Sequence, residues 1–541
     1  MAKLPEANES LDAGVTPTLE HSSKRQFRWY NVFIILFMSL GSIEYGYSAS
    51  IIATTLAQPS FISYFGLDTR DNGADLSGLT NSLYQVGGFL GVWTVADVSD
   101  RWGRKAAITY CAVVNLIAAA GLTGSVNIEM FLAFRFIAGW GGWTIVTAIP
   151  IWMNEVSPPK IRGILVNCHN VGFLLGYNIA TYFGYAFYHL PTDNNWAWRG
   201  GMIFQTIWVI VLLAGMHWLP ESPRWLMMKD RYDEAERVLS RLHTAEEAQV
   251  EAVQIRLSIE QDRHHVSTWR SIFTKKSYRK RALFAMGMAL SIHTSGILVV
   301  TNYGPTIYAS LGFDTNKQML YQIGWCVVAL GTGFMSYLLI DRFPRNKLLA
   351  FGVGGCACCL AIVCGLIGKF ASPEALENPN NTALNATIGF IYLVNCFYQL
   401  GLGKSGEDPG HEDVTNNTAD GVQFCSLGEI FPNHIRAKGV VIGVATITAI
   451  NIVWLQVAPI AFLRIGYLFY MVFFIPGFIA TAWLWFFFPD TLGVPLEEVA
   501  RMFGDADELT VPQDILNEKD VCSKEPLDMS YPEASHHEGK A

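Results

Sequence analysis

Acidic and basic side chains return in this chain at fixed spacings, beside apolar runs. Asp100 and Arg104 lie in Asp100-Arg101-Trp102-Gly103-Arg104-Lys105. Asp341 and Arg345 lie in the matching Asp341-Arg342-Phe343-Pro344-Arg345-Asn346. Glu155 and Arg162 frame Pro158 with the spacing E-x-x-P-x-x-x-R, and Glu429 and Arg436 frame Pro432 in the same way. A carboxylate and a guanidinium so placed can pair bidentately across a gap between helices. That is the chemistry of a fastening, not of bond cleavage. No nucleotide-binding loop, catalytic triad or metal-ligand cluster accompanies it. A separate acid, Glu44, stands inside an apolar run. A charge there costs about 2.5–3.5 kcal/mol on insertion scales, so it usually has a task. Two roles are open for Glu44: proton carrier, or hydrogen-bond hub held by a neighbouring helix.

The elements that position these groups follow from their repetition. A third pair, Pro220-Glu221-Ser222-Pro223-Arg224 and Pro489-Asp490-Thr491, closes the series in the same order, which indicates a duplicated membrane unit. The 541 residues are 51% hydrophobic and only 16% charged, with a mean hydropathy of +0.27, and a soluble chain of this length would carry more charge. The apolar residues come in blocks: 106–128, 348–368 and 466–488 hold no charged residue, and each approximates the ~20 residues that cross a bilayer as a helix. Twelve spans are expected, at 30–54, 77–97, 106–127, 129–152, 163–188, 200–219, 283–310, 319–340, 347–368, 388–431 (interrupted), 439–462 and 466–488. The fold class is an all-α membrane protein of twelve transmembrane helices in two six-helix bundles, 29–220 and 282–488, joined by a helical linker, 221–281.

Basic residues set the orientation. Arg101, Arg104, Lys105, Lys160, Arg162, Arg342, Arg345, Lys347, Arg436 and Lys438 crowd the loops of one side. That side is expected to be cytoplasmic, so the linker and both tails, 1–28 and 489–541, face inward, with no cleavable signal peptide. Asn380 and Asn385 head glycosylation sequons in the outer loop before the tenth span. The ten cysteines fall almost all in apolar runs, as small apolar filler rather than disulfides or metal ligands. The net charge of −8 lies largely in the tails and says little about partners.

The landmarks together resemble the sugar porter family of the major facilitator superfamily, over roughly residues 30–505. The residues that carry the resemblance are Asp100–Lys105, Arg135-Phe-Ile-Ala-Gly139-Trp-Gly141-Gly142, 150–163 (PIWMNEVSPPKIRG), 220–226 (PESPRWL), 429–439 (EIFPNHIRAKG) and 489–498 (PDTLGVPLEE). The resemblance implies two bundles rocking around a central cavity. It also implies salt bridges at the cytoplasmic helix ends that latch the outward-facing state, drawn from Asp100, Arg104, Arg135, Glu155, Arg162, Asp341, Arg345, Glu429 and Arg436. Pro344 stands where the second loop usually has glycine, which restricts the residue before it.

At the cavity positions the chain departs from the family. Gly46-Tyr47-Ser48 replaces Gly-Tyr-Asp, whose Asp couples protons in symporters, and Glu44 lies one turn earlier on the same face. His169-Asn170 replaces His-Gln. Ile292-His293-Thr294-Ser295-Gly296-Ile297-Leu298 replaces Gln-Gln-x-Ser-Gly-x-Asn, and Phe424 stands where glucose facilitators have tryptophan. Ser48, Asn170, Ile292, His293 and Phe424 are therefore the candidate substrate contacts. They predict a cavity poor in amides, suited to a solute less hydroxylated than glucose. The seventeen polar residues 404–420 interrupt the tenth span. Two readings are open, a cytoplasmic loop or a retained intron. The expected function is secondary transport of a sugar-like or other small organic solute, with an exporter of a less polar natural product and a nutrient sensor as rivals. The expected partners are that solute, membrane lipid and, if Glu44 titrates, protons. Nothing points to nucleic acid, a metal or a cofactor, and a plasma-membrane monomer is expected.

Overall fold

The computed structural model describes residues 28–158, 162–191, 193–263, 268–339, 345–372, 375, 377–401, 430–431, 435–489 and 503. Residues 21–494 form one compact unit; the ends, 1–20 and 495–541, form another, of which Phe503 alone is described.

Among the described residues of the larger unit, eighteen α-helices are delimited, with a 3₁₀ helix at Gly466–Tyr470. The first half holds α1 (Trp29–Leu56), the short α2 (Pro59–Phe65), α3 (Gly73–Trp102), α4 (Arg104–Thr123), α5 (Ile128–Val156), α6 (Arg162–Tyr188) and α7 (Trp196–Gly215). Four linker helices follow, α8 (Pro223–Met228), α9 (Tyr232–Leu242), the polar α10 (Ala245–Arg263) and α11 (Trp269–Thr274). The second half holds α12 (Lys276–His293), α13 (Ile297–Ser310), α14 (Thr315–Leu339), α15 (Arg345–Phe370), α16 (Asn381–Gly401), α17 (Arg436–Ile465) and α18 (Met471–Phe486). Counting α12 and α13 as one broken passage and leaving out α2 and the linker helices, these are the twelve expected spans. Gly296, with φ +74°, makes the break, in a backbone region open to glycine and costly for other residues. The interruption expected in the tenth span, 404–420, and Phe424 lie outside the described residues.

Length and hydropathy alone single out seven stretches able to cross a membrane among the described residues, and they leave out α3, α6, α14 and α16. All four of those helices line the central cavity described below. Polar residues of α3 and α16, Asn81, Gln85, Asn395 and Gln399, face the interior of the bundle rather than lipid, where such residues are tolerated.

Small residues let the helices approach where lipid supplies no hydrophobic drive between them. A Cβ on Gly139 of α5 would collide with the Tyr84 carbonyl oxygen of α3, and one on Gly46 of α1 with the Phe173 carbonyl oxygen of α6. Each half has its own apolar core. Trp152 and Trp198 are fully buried in the first, and Trp325 and Phe469 lie in the second.

The linker is packed rather than loose. Ala235 and Leu239 of α9 and Ala252 of α10 bury against Trp225, Leu226 and Met227 of α8, while Leu242 of α9 joins the core of the first half. The chain entering α1 holds the end of α9: Arg28 Nη1 donates to the Ser240 and Arg241 carbonyls at 3.1 and 3.0 Å, and Asn31 Nδ2 to that of Leu242 at 2.9 Å. These are helix-end carbonyls left without intrahelical partners.

Candidate functional site

Two sites emerge, a clasp at the linker end and a cavity between the halves. The clasp centres on Arg104, the first residue of α4. Its Nε and Nη2 meet Glu155 Oε2 and Oε1 of α5 at 2.9 and 3.0 Å, a bidentate pair. Its Nη1 reaches Asp100 Oδ1 and the Ser99 carbonyl of α3, both at 3.0 Å. The Arg104 and Glu155 side chains are 9% and 14% exposed, whereas Asp100 is 59% exposed, so the Glu155 pair dominates. Glu221, just before α8, caps the start of α4 by accepting from the backbone N–H of Arg104 at 3.1 Å and of Lys105 at 3.2 Å. Burial pushes the Glu221 carboxyl above its ordinary range, against the N–H donors and the Lys105 charge, which favour its ionised form. Gly103 makes the approach possible. Its φ is +106°, and a Cβ there would come 2.5 Å from Glu221 Oε2. Trp225 Nε1 completes the site by donating to the Asp100 carbonyl at 3.2 Å.

Of the nine residues expected to gate by salt bridges, the structure thus unites Asp100, Arg104 and Glu155. Glu221, Gly103 and Trp225 join them. The signal for these three lay in the Gly103 of the first landmark and in the Pro-Glu-Ser-Pro-Arg-Trp string. Every described member of the clasp belongs to the first half or the linker, so the clasp fastens the linker onto the first half. Arg162, Arg345 and Arg436 open α6, α15 and α17, but their side chains, like Asp341 and Glu429, lie outside the described residues.

Arg135 requires a correction. The family resemblance groups it with the helix ends, yet it sits in α5 twenty residues before Glu155, about 30 Å along the helix axis. It lines the central cavity. The motif that contains it is contiguous along α5, whereas the ion-pair motifs mark loop ends.

The cavity encloses about 120 Å³ and draws on both halves. Tyr45, Asn81, Tyr84, Gln85, Arg135 and Tyr177 come from the first, and His293, Asn302, Asn395, Tyr398, Gln399 and Asn451 from the second. The expectation of an amide-poor cavity is therefore overturned. Six amides line it: Asn81 and Gln85 of α3, Asn302 of α13, Asn395 and Gln399 of α16, and Asn451 of α17. The amides absent at 292, 293 and 298 are replaced from α3, α16 and α17 and, one turn beyond 298 on α13, by Asn302, a shift that comparison with one family pattern does not reveal. Asn81 Nδ2, Gln85 Oε1 and Asn451 Oδ1 are buried without a hydrogen bond to the described residues. Hydroxyl groups, which donate and accept, match such a wall.

Of the candidate substrate contacts, His293 lines the cavity, and its Nδ1 lies 3.2 Å from the Ala289 carbonyl. Ser48, Asn170 and Ile292 are buried but do not line it. The neighbour of Asn170, His169, meets Ser42 Oγ at 2.6 Å. Glu44 is fully buried inside the first half, off the cavity wall. Asn115 Nδ2 of α4 donates to its Oε2 at 2.9 Å, and Gln205 Nε2 of α7 to its Oε1 at 3.1 Å, which is the arrangement of a hub. Asn380 is exposed ahead of α16. Asn385 is exposed within the helix, where the hydroxyl of its sequon, Thr387, is buried and bonded to the Ala383 carbonyl at 2.9 Å.

Direct ties between the halves flank the cavity. Ser82 Oγ of α3 donates to Gln456 Oε1 of α17 at 2.6 Å, and Asn178 Nδ2 of α6 to the Cys326 carbonyl of α14 at 3.0 Å.

The sequence profile described as "Sugar (and other) transporter" matches residues 34–406 and 414–503. The chain belongs to this family. It is a multi-pass membrane transporter rather than an enzyme. Among similar proteins, the MFS-type transporter criB of Aspergillus cristatus is 27% identical over 88% of this chain and 94% of its own length. A quinate permease of Emericella nidulans is 26% identical over 88% and 89%, and a high-affinity glucose transporter of Kluyveromyces lactis is 26% identical over 88% and 86%. Among solved structures, the proton:xylose symporter XylE bound to 6-bromo-6-deoxy-D-glucose superposes with a TM-score of 0.70, at 22% identity, covering 88% of this transporter and all of that chain. The break in the family match, 407–413, falls inside the polar stretch 404–420.

Proposed function

We propose that this transporter carries a hydroxylated small solute, a sugar or a sugar-sized hydroxy acid, by alternating exposure of the cavity between its halves. The observation that carries this reading is the set of six amides, contributed by both halves, that line one cavity. Relatives named for glucose and quinate transport agree with a solute rich in hydroxyls. A less polar cargo would leave the open amide atoms of Asn81, Gln85 and Asn451 unpaired, at about 1–3 kcal/mol for each one stranded, so the natural-product exporter is disfavoured.

The Arg104 clasp would hold the linker against the first half while the halves rock, as a largely buried bidentate pair can. The second-half residues Asp341, Arg345, Glu429 and Arg436, with Arg162, would complete the gate. The basic bias of the loops supports a cytoplasmic linker and cytoplasmic tails, and the plasma membrane is the proposed location. Glu44 acts as a hub rather than a proton carrier, since it is bonded to two amides and lies off the cavity wall. Reconstitution into proteoliposomes with labelled D-glucose, D-xylose and quinate, with and without a pH gradient, tests the reading. Saturable uptake of at least one solute is expected, and uptake of none of them contradicts it.

A further inference from the structure

We infer that the cavity recognises the carboxylate of an anionic, hydroxylated solute, with Arg135 as its anchor. This deepens the transport reading above and rests on it for the claim that the bound solute moves. Among the described residues of the cavity wall, Arg135 alone carries a fixed charge. It is 1% exposed. Its Nε donates to the Thr80 carbonyl at 3.1 Å, its Nη1 to the Ser48 carbonyl at 3.3 Å, and its guanidinium carbon lies 4.6 Å from the centre of the Tyr84 ring. Nη2 makes no hydrogen bond to the described residues.

Carbonyl dipoles and an aromatic face soften this charge but do not cancel it. A guanidinium does not shed its proton to escape burial. No described carboxylate reaches ion-pair distance of it. Glu44, one turn before Ser48 on α1, has its two oxygens bonded to Asn115 and Gln205 instead. Residue 48, whose carbonyl Arg135 touches, bears a neutral, buried hydroxyl rather than a carboxylate.

A buried cation without a counter-charge is costly. A bound carboxylate removes that cost, and its two oxygens suit the guanidinium fork. The unpartnered atoms of Asn81, Gln85 and Asn451 on the same wall supply donors and acceptors for the rest of the solute. The pattern is thus one anion point among several hydroxyl points. A neutral sugar would satisfy the amides and leave Arg135 uncompensated.

Binding to the detergent-purified full chain, read by isothermal calorimetry, separates these cases. The probes are D-glucuronate and quinate, each beside its uncharged methyl ester. At least one acid is expected to bind about tenfold or more tightly than its ester. Arg135→Gln should remove that preference, and Ser48→Asp should do the same by supplying an internal counter-ion. Should Arg135→Gln fail to fold, Ser48→Asp and the wild-type ratio decide. Esters binding as well as acids, no binding of either acid, or preference retained in both variants would overturn the inference. Flux through proteoliposomes is read separately. Acid binding without flux removes the transport reading and leaves the anchor. Flux of D-glucose with no acid preference does the reverse.

Discussion

Arg104 and Arg135 are both buried arginines of the first half, and their surroundings are opposite. Arg104 is saturated: two oxygens of Glu155, one of Asp100 and a carbonyl take its donors at 2.9–3.0 Å. Arg135 has two carbonyls and a ring, and no acid among the described residues. A guanidinium closed by carboxylates is a structural fastening, whose opposing charges are fixed at folding. One left open at a cavity wall is a binding group whose partner arrives from outside. Burial alone does not distinguish the two; the inventory of partners does.

Removing each side chain tests that contrast. Arg104→Ala leaves Glu155 partly buried with no cation, and losing one member of a buried pair costs on the order of 3 kcal/mol. A lowered thermal midpoint in detergent, partly restored in the double variant Arg104→Ala/Glu155→Ala, is the expected result. Arg135→Gln should cost less stability, because no partner charge is stranded. Its effect should fall on solute choice, with acid over ester preference reduced about tenfold. If both arginines behaved alike in the melt, the contrast would fail.

Glu44→Gln comes next. Glu44 accepts from two amide N–H groups, and a glutamine must turn its own NH₂ toward one of them. A stability loss of about 1 kcal/mol is expected, with gradient-independent flux retained. Selective loss of pH-driven accumulation, with stability unchanged, would instead make Glu44 a proton carrier. Deleting residues 404–420 should have the smallest effect, because the family match breaks inside that stretch. Joining 403 to 421 leaves a tenth span of 27 residues against 28 for its counterpart 129–156, and transport should be kept or raised.

Much of this architecture was legible before any coordinates. Apolar blocks of bilayer length and three repeated landmarks give twelve passages and a duplication, since lipid imposes both on any spanning chain. The Asp100, Arg104 and Glu155 clasp was legible for the same reason: charges at helix ends have few other partners. The cavity was not. Its amides sit on α3, α13, α16 and α17, single polar residues in apolar runs, and which face each helix turns inward depends on packing that no local pattern records. Arg135 was misplaced with the helix ends because its motif reads as one more basic landmark. Only the position of α5 against α3, set by the close approach of Gly139 to Tyr84, puts it at the cavity.

Counterflow in proteoliposomes addresses the central claim most directly. Vesicles are preloaded with unlabelled quinate and diluted into labelled quinate. The open Arg135 site predicts a transient overshoot with wild-type protein that disappears in Arg135→Gln while persisting in Glu44→Gln. Absence of any overshoot with wild type, or one undiminished in Arg135→Gln, would contradict it.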